Sequence, residues 1–165
     1  MKSLLLIRHA KSSWDMDVDD FDRPLNHRGQ NDAPEMAKRL LKKEIVIDGF
    51  ISSPAKRALT TATFFTEVYN KTPHDILTVP SLYEPTIEAF YNAVTNLDDS
   101  FQTAAVFSHN PTITDFANQL TSFKVDEIPT CAVFAVKADV EVWKEFKSAN
   151  KQFWFFDYPK SEFDR

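Results

Sequence analysis

Residues able to do oxyanion chemistry stand at three points of this chain. Arg8-His9 closes a run of four apolar residues, Leu4-Leu5-Leu6-Ile7. Ser52-Ser53-Pro54 follows a second apolar segment ending at Ile51, with Arg57 one helical turn further on. Ser108-His109-Asn110-Pro111 follows a third, Thr103 to Phe107. Apolar runs of this length read as strands buried on both faces. In an open α/β sheet, ligands bind just beyond the carboxyl ends of such strands. Three tips of this kind lie along one sheet edge and can converge. A guanidinium presents a planar, bidentate fork to phosphate, and helix starts add N–H donors and a positive dipole end. An imidazole among them is a candidate nucleophile. Arg8, His9, Arg57 and His109 therefore predict a strong oxyanion site, with Arg8 as a phosphate anchor and His9 as its nucleophile.

The elements that would position these residues alternate. Residues 3–8 form a first strand, and the polar, acidic stretch 11–27 is a long loop closing with Arg23-Pro24-Leu25-Asn26. A helix is expected from Arg28 to Lys43, where Ala33, Met36, Ala37, Leu40 and Leu41 recur at helical spacing. Residues 45–52 give a second strand. Ser53-Pro54 has the form of a helix start, a cap residue followed by proline at the first helical position, for a helix to about Tyr69. A short strand covers 76–79, and Glu84-Pro85 opens a third helix to about Leu97. A strand over Thr103–Phe107 leads to a fourth helix, opened by Asn110-Pro111 and running to about Leu120. Ala132–Val136 and Phe153–Phe156 read as two more strands joined by a charged connection. This order implies an α/β fold, a three-layer α/β/α sandwich around a mostly parallel central sheet.

Composition narrows the functions. The 165 residues suit one domain, 1–165, and 43% hydrophobic with 26% charged residues is ordinary for a soluble globular protein. No apolar run is long enough to span a bilayer, so no membrane partner is expected. Met1 leads straight into the first strand, which suggests no signal peptide, and the single cysteine, Cys131, fits a reducing, cytoplasmic setting. A net charge of −5 argues against nucleic-acid binding, so an anion site must be a local basic pocket in an acidic molecule. With only Gly29 and Gly49, neither a P-loop nor a Gly-x-Gly-x-x-Gly fingerprint is possible. The acidic stretch 15–20 imitates the opening of a calcium loop, but Asp20 replaces the required glycine and Asn26 the closing glutamate, so it reads as a solvated loop. The four histidines are scattered, and no zinc site or other metal or cofactor is expected. His27 and His74 read as exposed, Arg28-Gly29 as a structural feature of the helix start, Cys131 as a core thiol, and Trp143 and Tyr158 as partly exposed.

Five stretches, taken in order, resemble the histidine phosphatase superfamily, the phosphoglycerate mutase-like fold, and most nearly its small phosphohistidine phosphatase branch, the SixA type. They are LLLIRHAKSSW at 4–14, DRPLNHRG at 22–29, ISSPAKRALTTA at 51–62, LYE at 82–84 and VFSHNPTI at 106–113. The resemblance implies that His9 takes the phosphoryl group, that Arg8 and Arg57 clamp it, and that His109 is the second histidine of the pocket. Ser12, Asp15 and Asn110 become substrate-binding candidates. Asp15 departs from the asparagine of relatives, and a carboxylate repels phosphate, so it is expected instead to orient Arg8 or Arg57. Glu84 stands where relatives acting on phosphate esters carry the carboxylate that protonates the leaving group.

The implied activity is metal-independent phosphohistidine hydrolysis through a covalent intermediate on His9, kept neutral by its arginine neighbours. The implied partner is a protein bearing phosphohistidine, and inorganic phosphate or sulfate would occupy the site. The short stretch between Ala62 and His109 leaves no room for the long insertions that wall in a small substrate. The alternatives are a phosphatase for small monoesters such as sugar or nucleotide phosphates, and a noncatalytic phosphate-binding protein on the same fold.

Overall fold

The computed structural model describes residues 1–15 and 17–159. Its centre is β1 (Lys2–Arg8), whose apolar run alternates between two faces. Leu4 and Leu6 enter a core with Phe90, Phe116 and Trp143. Leu5 and Ile7 enter the opposite core with Met36, Leu40 and Phe65. All four are fully buried, the expected result of a strand covered on both sides.

The remaining elements, in chain order, are α1 (His27–Lys42), β2 (Gly49–Ser52), α2 (Lys56–Val68), β3 (Ile76–Thr78), α3 (Ile87–Thr95), β4 (Thr103–Ser108), α4 (Thr112–Leu120), β5 (Val133–Ala138) and β6 (Lys151–Asp157). The six strands form one sheet in the order β3-β2-β4-β1-β5-β6. β5 is antiparallel to both its neighbours, β1 and β6, while β1 to β4 run parallel. Residues of α1 and α2 supply one core, and residues of α3 and α4 the other. The expected three-layer α/β/α sandwich with a mostly parallel sheet is the observed one. Among the described residues, no helix is long and apolar enough to cross a membrane.

Register delivers the three tips to one edge. Arg8 pairs with Ser108, and Ser52 with Phe107, so β1, β2 and β4 end side by side.

The boundaries differ from expectation where local chemistry intervenes. β2 starts at Gly49 rather than 45, because the Ile45 N–H turns back to the Leu40 carbonyl and closes α1. α2 starts at Lys56 rather than at Ser53-Pro54: the Ser53 N–H still reaches the Phe107 carbonyl, prolonging the sheet by one residue. α3 starts at Ile87 with Thr86 as its cap, the Ala89 N–H donating to Thr86 Oγ1 at 3.0 Å. Glu84 is therefore not a helix-start residue; it sits in a turn with φ +52°. Trp143 is fully buried, contrary to its expected partial exposure, with Nε1 donating to the Phe101 carbonyl at 2.9 Å.

Gly29 shows why α1 docks where it does. Its N–H donates to Asn26 Oδ1 at 2.9 Å, and the Asn26 N–H donates to the Lys11 carbonyl at 3.0 Å. A β-carbon at Gly29 would lie 2.1 Å from that same carbonyl oxygen. Backbone cannot yield as a flexible side chain can, so Gly29→Ala is expected to destabilise by about 1–3 kcal/mol. Urea melts would check this; an unchanged midpoint would mean that the helix start is not held against residue 11.

Candidate active site

The Arg8-His9 tip is pinned from several sides. Cys131, buried and at φ +63°, directs its N–H to the carbonyls of Arg8 (2.9 Å) and His9 (3.1 Å). The Ala10 N–H donates to Thr61 Oγ1 at 2.9 Å, and that hydroxyl donates to the Arg57 carbonyl at 2.8 Å. The segment after β1 and the first turns of α2 are thus one hydrogen-bonded unit.

His9 is 7% exposed, and its Nδ1 lies 2.8 Å from the Ala10 carbonyl. A carbonyl can only accept, so Nδ1 carries the proton and Nε2 keeps its lone pair. The His109 ring lies 5.2 Å from the His9 ring, centroid to centroid. His109 Nε2 is 2.8 Å from Ser53 Oγ. Ser53 Oγ also accepts from the Ala55 N–H at 3.2 Å, so the serine expected to cap a helix holds the turn before α2 and serves this histidine as well.

These rings share a cavity of about 180 Å³ lined by Arg8, His9, Lys11, Ser12, Trp14, Arg23, Arg57, His109, Asn110 and Thr130. Three arginines, a lysine and two histidines face it, and among the described residues no carboxylate does. Arg8 Nε, Arg57 Nε and His109 Nδ1 are buried without a hydrogen-bond partner. Buried N–H groups are costly when unpaired, so an anion that accepts from them is favoured.

A second cavity of about 360 Å³ adjoins the first through shared Arg57, His109 and Asn110. It adds Asp20, Tyr83, Glu84, Pro85, Pro111 and Thr112.

The structure thus brings Arg8, His9, Ser12, Arg57, His109 and Asn110 to one cavity and Glu84 to its neighbour. Two of these carry internal duties as well. Ser12 Oγ accepts from Arg23 at 2.7 Å, and Asn110 Nδ2 donates to the Ile128 carbonyl at 2.9 Å. Asp15 lines neither cavity. It is exposed, and the acids that Arg8 and Arg57 meet are others. Arg57 directs one terminal nitrogen to the Asp20 carbonyl at 2.7 Å and the other to Asp20 Oδ2 at 3.1 Å. Arg8 donates to the Ile128 carbonyl at 3.0 Å and lies 3.5 Å from Glu127.

Sequence reasoning also passed over Arg23, Tyr83, Lys11, Trp14 and Thr130. Arg23 donates to Asp20 and Ser12 while its guanidinium stacks 3.5 Å from the centre of the Trp14 ring. Lys11, Trp14, Arg23 and Tyr83 lie within the family-like stretches, which was the available signal; Thr130 lies in none of them.

Burial dominates the electrostatics. It is the main force holding the His9 imidazole down at about 3, with His109, Arg57 and Arg8 adding repulsion and the Ala10 carbonyl opposing. His109 is held at about 4, again by burial first and then by the Arg57 charge, while Asp20 opposes. Arginine repulsion, expected to keep His9 neutral, is thus secondary to desolvation. Both rings are neutral at pH 7.

A sign follows for stability. The unfolded chain binds these two protons below about 6.5, whereas the folded chain does not until much lower pH. Stability is therefore present above pH 6.5 and is lost as pH falls toward 4. Each histidine contributes a slope of up to about 1.4 kcal/mol per pH unit. Urea titrations at pH 7, 5.5 and 4.5 should show the decline, and His109→Gln should flatten it. Equal slopes in both proteins would contradict the assignment.

Comparison with solved structures shows the same fold. A SixA protein of Agrobacterium tumefaciens aligns over 96% of this chain and 98% of its own, with 21% identity and a TM-score of 0.81. The protein histidine phosphatase SixA complexed with tungstate aligns over 97% of this chain and 99% of its own, with 23% identity and a TM-score of 0.78. At these identities the likeness is one of fold. An uncharacterized chloroplastic protein of Arabidopsis thaliana is 27% identical over 153 residues, covering 87% of this chain and 70% of that one. Residues 4–90, more than half of the chain and including the Arg8-His9 tip and Arg57, match the family profile of the histidine phosphatase superfamily (branch 1), and the chain belongs to that superfamily.

Proposed function

We propose that this protein is a phosphatase that removes the phosphoryl group from phosphohistidine in proteins by way of a phosphohistidine intermediate on His9. The observation that carries this reading is the cavity itself: among the described residues it is lined by six cationic or imidazole side chains and no carboxylate, in a chain of net charge −5.

In the first step the lone pair of His9 Nε2 forms a bond to phosphorus as the bond from phosphorus to the substrate nitrogen breaks. The substrate imidazole leaves with that electron pair and takes up a proton. Arg8 and Arg57 donate to the equatorial oxygens, where charge is spread in the transition state. A phosphate dianion favours protonation of His109, whose Nδ1 then donates as well. In the second step water attacks phosphorus, phosphate leaves, and His9 returns to its neutral form, with its Nδ1–H still on the Ala10 carbonyl. These side chains supply the nucleophile and the donors to the phosphoryl oxygens; solvent supplies the proton taken up by the leaving imidazole and the water that breaks the bond from phosphorus to His9. The buried thiol of Cys131, which burial pushes up, fits a reducing compartment such as the cytoplasm.

A protein substrate is supported by the rim. Between α2 and β4 the chain forms only β3, single turns at Pro73–Asp75 and Pro80–Leu82, and α3, and Trp14 stands 74% exposed beside the cavity. The second reading, a phosphatase for small esters, has one observation in its favour: Glu84 lines the adjoining cavity, where an alkoxide leaving group would need a proton. The mycobacterial glucosyl-3-phosphoglycerate phosphatase, with a TM-score of 0.67, shows that this fold also serves such a substrate.

Competition decides between them. Wild type and Glu84→Gln are assayed on a phosphohistidine-bearing protein and on alkyl and aryl phosphates. An imidazole, with a conjugate acid near pKa 6.5, leaves with little help. Glu84→Gln is therefore expected to leave phosphohistidine turnover within about threefold of wild type while lowering ester turnover by about 10²-fold, a typical general-acid contribution. Faster wild-type turnover of esters than of phosphohistidine would reverse the assignment of substrate.

A further inference from the structure

Asp20 is the most heavily used carboxylate near the site. Three donors from three separate elements converge on it. Arg57 of α2 bonds its carboxylate at 3.1 Å and its backbone carbonyl at 2.7 Å. Tyr83 Oη donates to Oδ2 at 2.7 Å, and Arg23 Nε to Oδ1 at 3.0 Å. The Phe21 ring, next in sequence, packs edge-on against Tyr83 with centroids 5.1 Å apart. The carboxylate is nevertheless half exposed, at 48%. An exposed surface acid rarely holds three partners unless they need holding, since an isolated exposed pair contributes little stability.

The consequence falls on Arg57. Each terminal nitrogen of its guanidinium directs an N–H to Asp20, which leaves a second N–H on each, and Nε, buried and without a partner, for other acceptors. A guanidinium is planar, so anchoring two nitrogens fixes the direction in which the rest of the fork points. Arg23 and Tyr83 in turn hold the carboxylate against rotation. Hydrogen bonds from Tyr83 and Arg23, with the Arg57 charge, outweigh burial and keep Asp20 ionised, at about 2.

We infer that Asp20 is a positioning residue, acting through Arg57 to aim that guanidinium at the phosphoryl group. The inference rests on the phosphatase reading above for its catalytic consequence, but not for its effect on anion binding. It also separates Asp20 from a simple loop tether: a tether would stabilise residues 17–26 whatever stands at position 57.

A double-mutant cycle tests this. Asp20→Ala, Arg57→Ala and the double variant are compared in kcat and KM on a phosphohistidine protein, and in binding of inorganic phosphate by calorimetry. Asp20→Ala in the wild-type background is expected to lower kcat/KM by about 10- to 100-fold, the scale of a small misplacement of a catalytic group. In the Arg57→Ala background the same change is expected to cost less than about twofold, because the residue through which it acts is gone. Inorganic phosphate binding should follow the same pattern, weaker in the first background and unchanged in the second. Asp20→Asn, which keeps the shape and one acceptor, is expected to fall between wild type and Asp20→Ala, and it carries the cycle if Asp20→Ala fails to fold.

Losses that add in the double variant would overturn the proposal in favour of a tether. Tighter phosphate binding in Asp20→Ala would also overturn it, because charge repulsion rather than aim would then be the role of Asp20. If wild type turns over no phosphorylated substrate, the phosphatase reading fails, and the phosphate-binding arm still decides the role of Asp20.

Discussion

His9→Ala is expected to lose at least about 10⁴-fold in kcat, the scale seen when a catalytic nucleophile is removed and only binding and electrostatics remain. The fold should survive the change. The backbone at residues 8–10 is held by Cys131, Ser108 and Thr61, and none of these bonds uses the imidazole. Circular dichroism and a thermal melt check that point. The result acquires meaning from a companion measurement. Wild-type protein quenched in alkali during turnover should carry one phosphoryl group, stable to base and labile to acid, as a phosphoramidate is. His9→Ala should carry none. Because Nδ1 is engaged by the Ala10 carbonyl, the modification should be on Nε2. Equal turnover by the two proteins would sink the mechanism outright. A loss of turnover with no trapped intermediate in wild type would point to direct attack by water.

Replacing Arg57 is the second large effect. Arg57→Ala removes a buried charge that lines both cavities, and a loss of about 10²–10³-fold in kcat/KM is expected, comparable to deleting a transition-state donor. Arg57→Lys should recover little of it. A lysine ammonium is a point charge on a flexible stem and cannot span the Asp20 carbonyl, the Asp20 carboxylate and a phosphoryl oxygen at once. The His109 imidazole offers an independent readout. The Arg57 charge is the second cause holding it near 4, so its titration should move upward in Arg57→Ala. Lysine matching arginine in kcat would show that charge alone, not the fork, is used. An unmoved His109 would show that the two groups do not face each other in solution.

The electrostatic design behind both predictions is a neutral imidazole, the proposed nucleophile, in a cationic cavity. Desolvation keeps His9 and His109 unprotonated, so the imidazole nucleophile needs no partner to remove a proton. The arginines cannot lose their charge at any working pH and therefore attract phosphate throughout. Among the described residues, the acids that touch this machinery, Asp20 and Glu127, do not line the cavity that holds His9; Asp20 lines the adjoining one.

The sequence by itself determined the frame. Unbroken apolar runs such as Leu4 to Ile7 can form only strands covered on both faces, and alternation with amphipathic helices makes the sheet mostly parallel. Once that is so, the residues just after each run must meet at one edge, and Arg8, His9, Arg57 and His109 are named by position alone. Ordered motifs then identified the family.

What the sequence could not decide is which side chains serve those four. Asp20 looked like one more solvated acid in an acidic loop, and Asp15 had the stronger claim by family resemblance. The choice between them depends on Arg57, 37 residues away, and Tyr83, 63 residues away, and on the path of the intervening loop. Ser53 read as a helix cap, and it does accept from the local Ala55 N–H, but its second partner, His109, lies 56 residues on. Burial of the two histidines was equally hidden. An imidazole shifts because of what covers it from other elements, and local sequence carries no record of that covering. Tertiary structure alone set these terms, because hydrogen bonds and desolvation depend on distance in space, and the hydrophobic pattern fixes such distances only for backbone elements, not for the loops that complete the site.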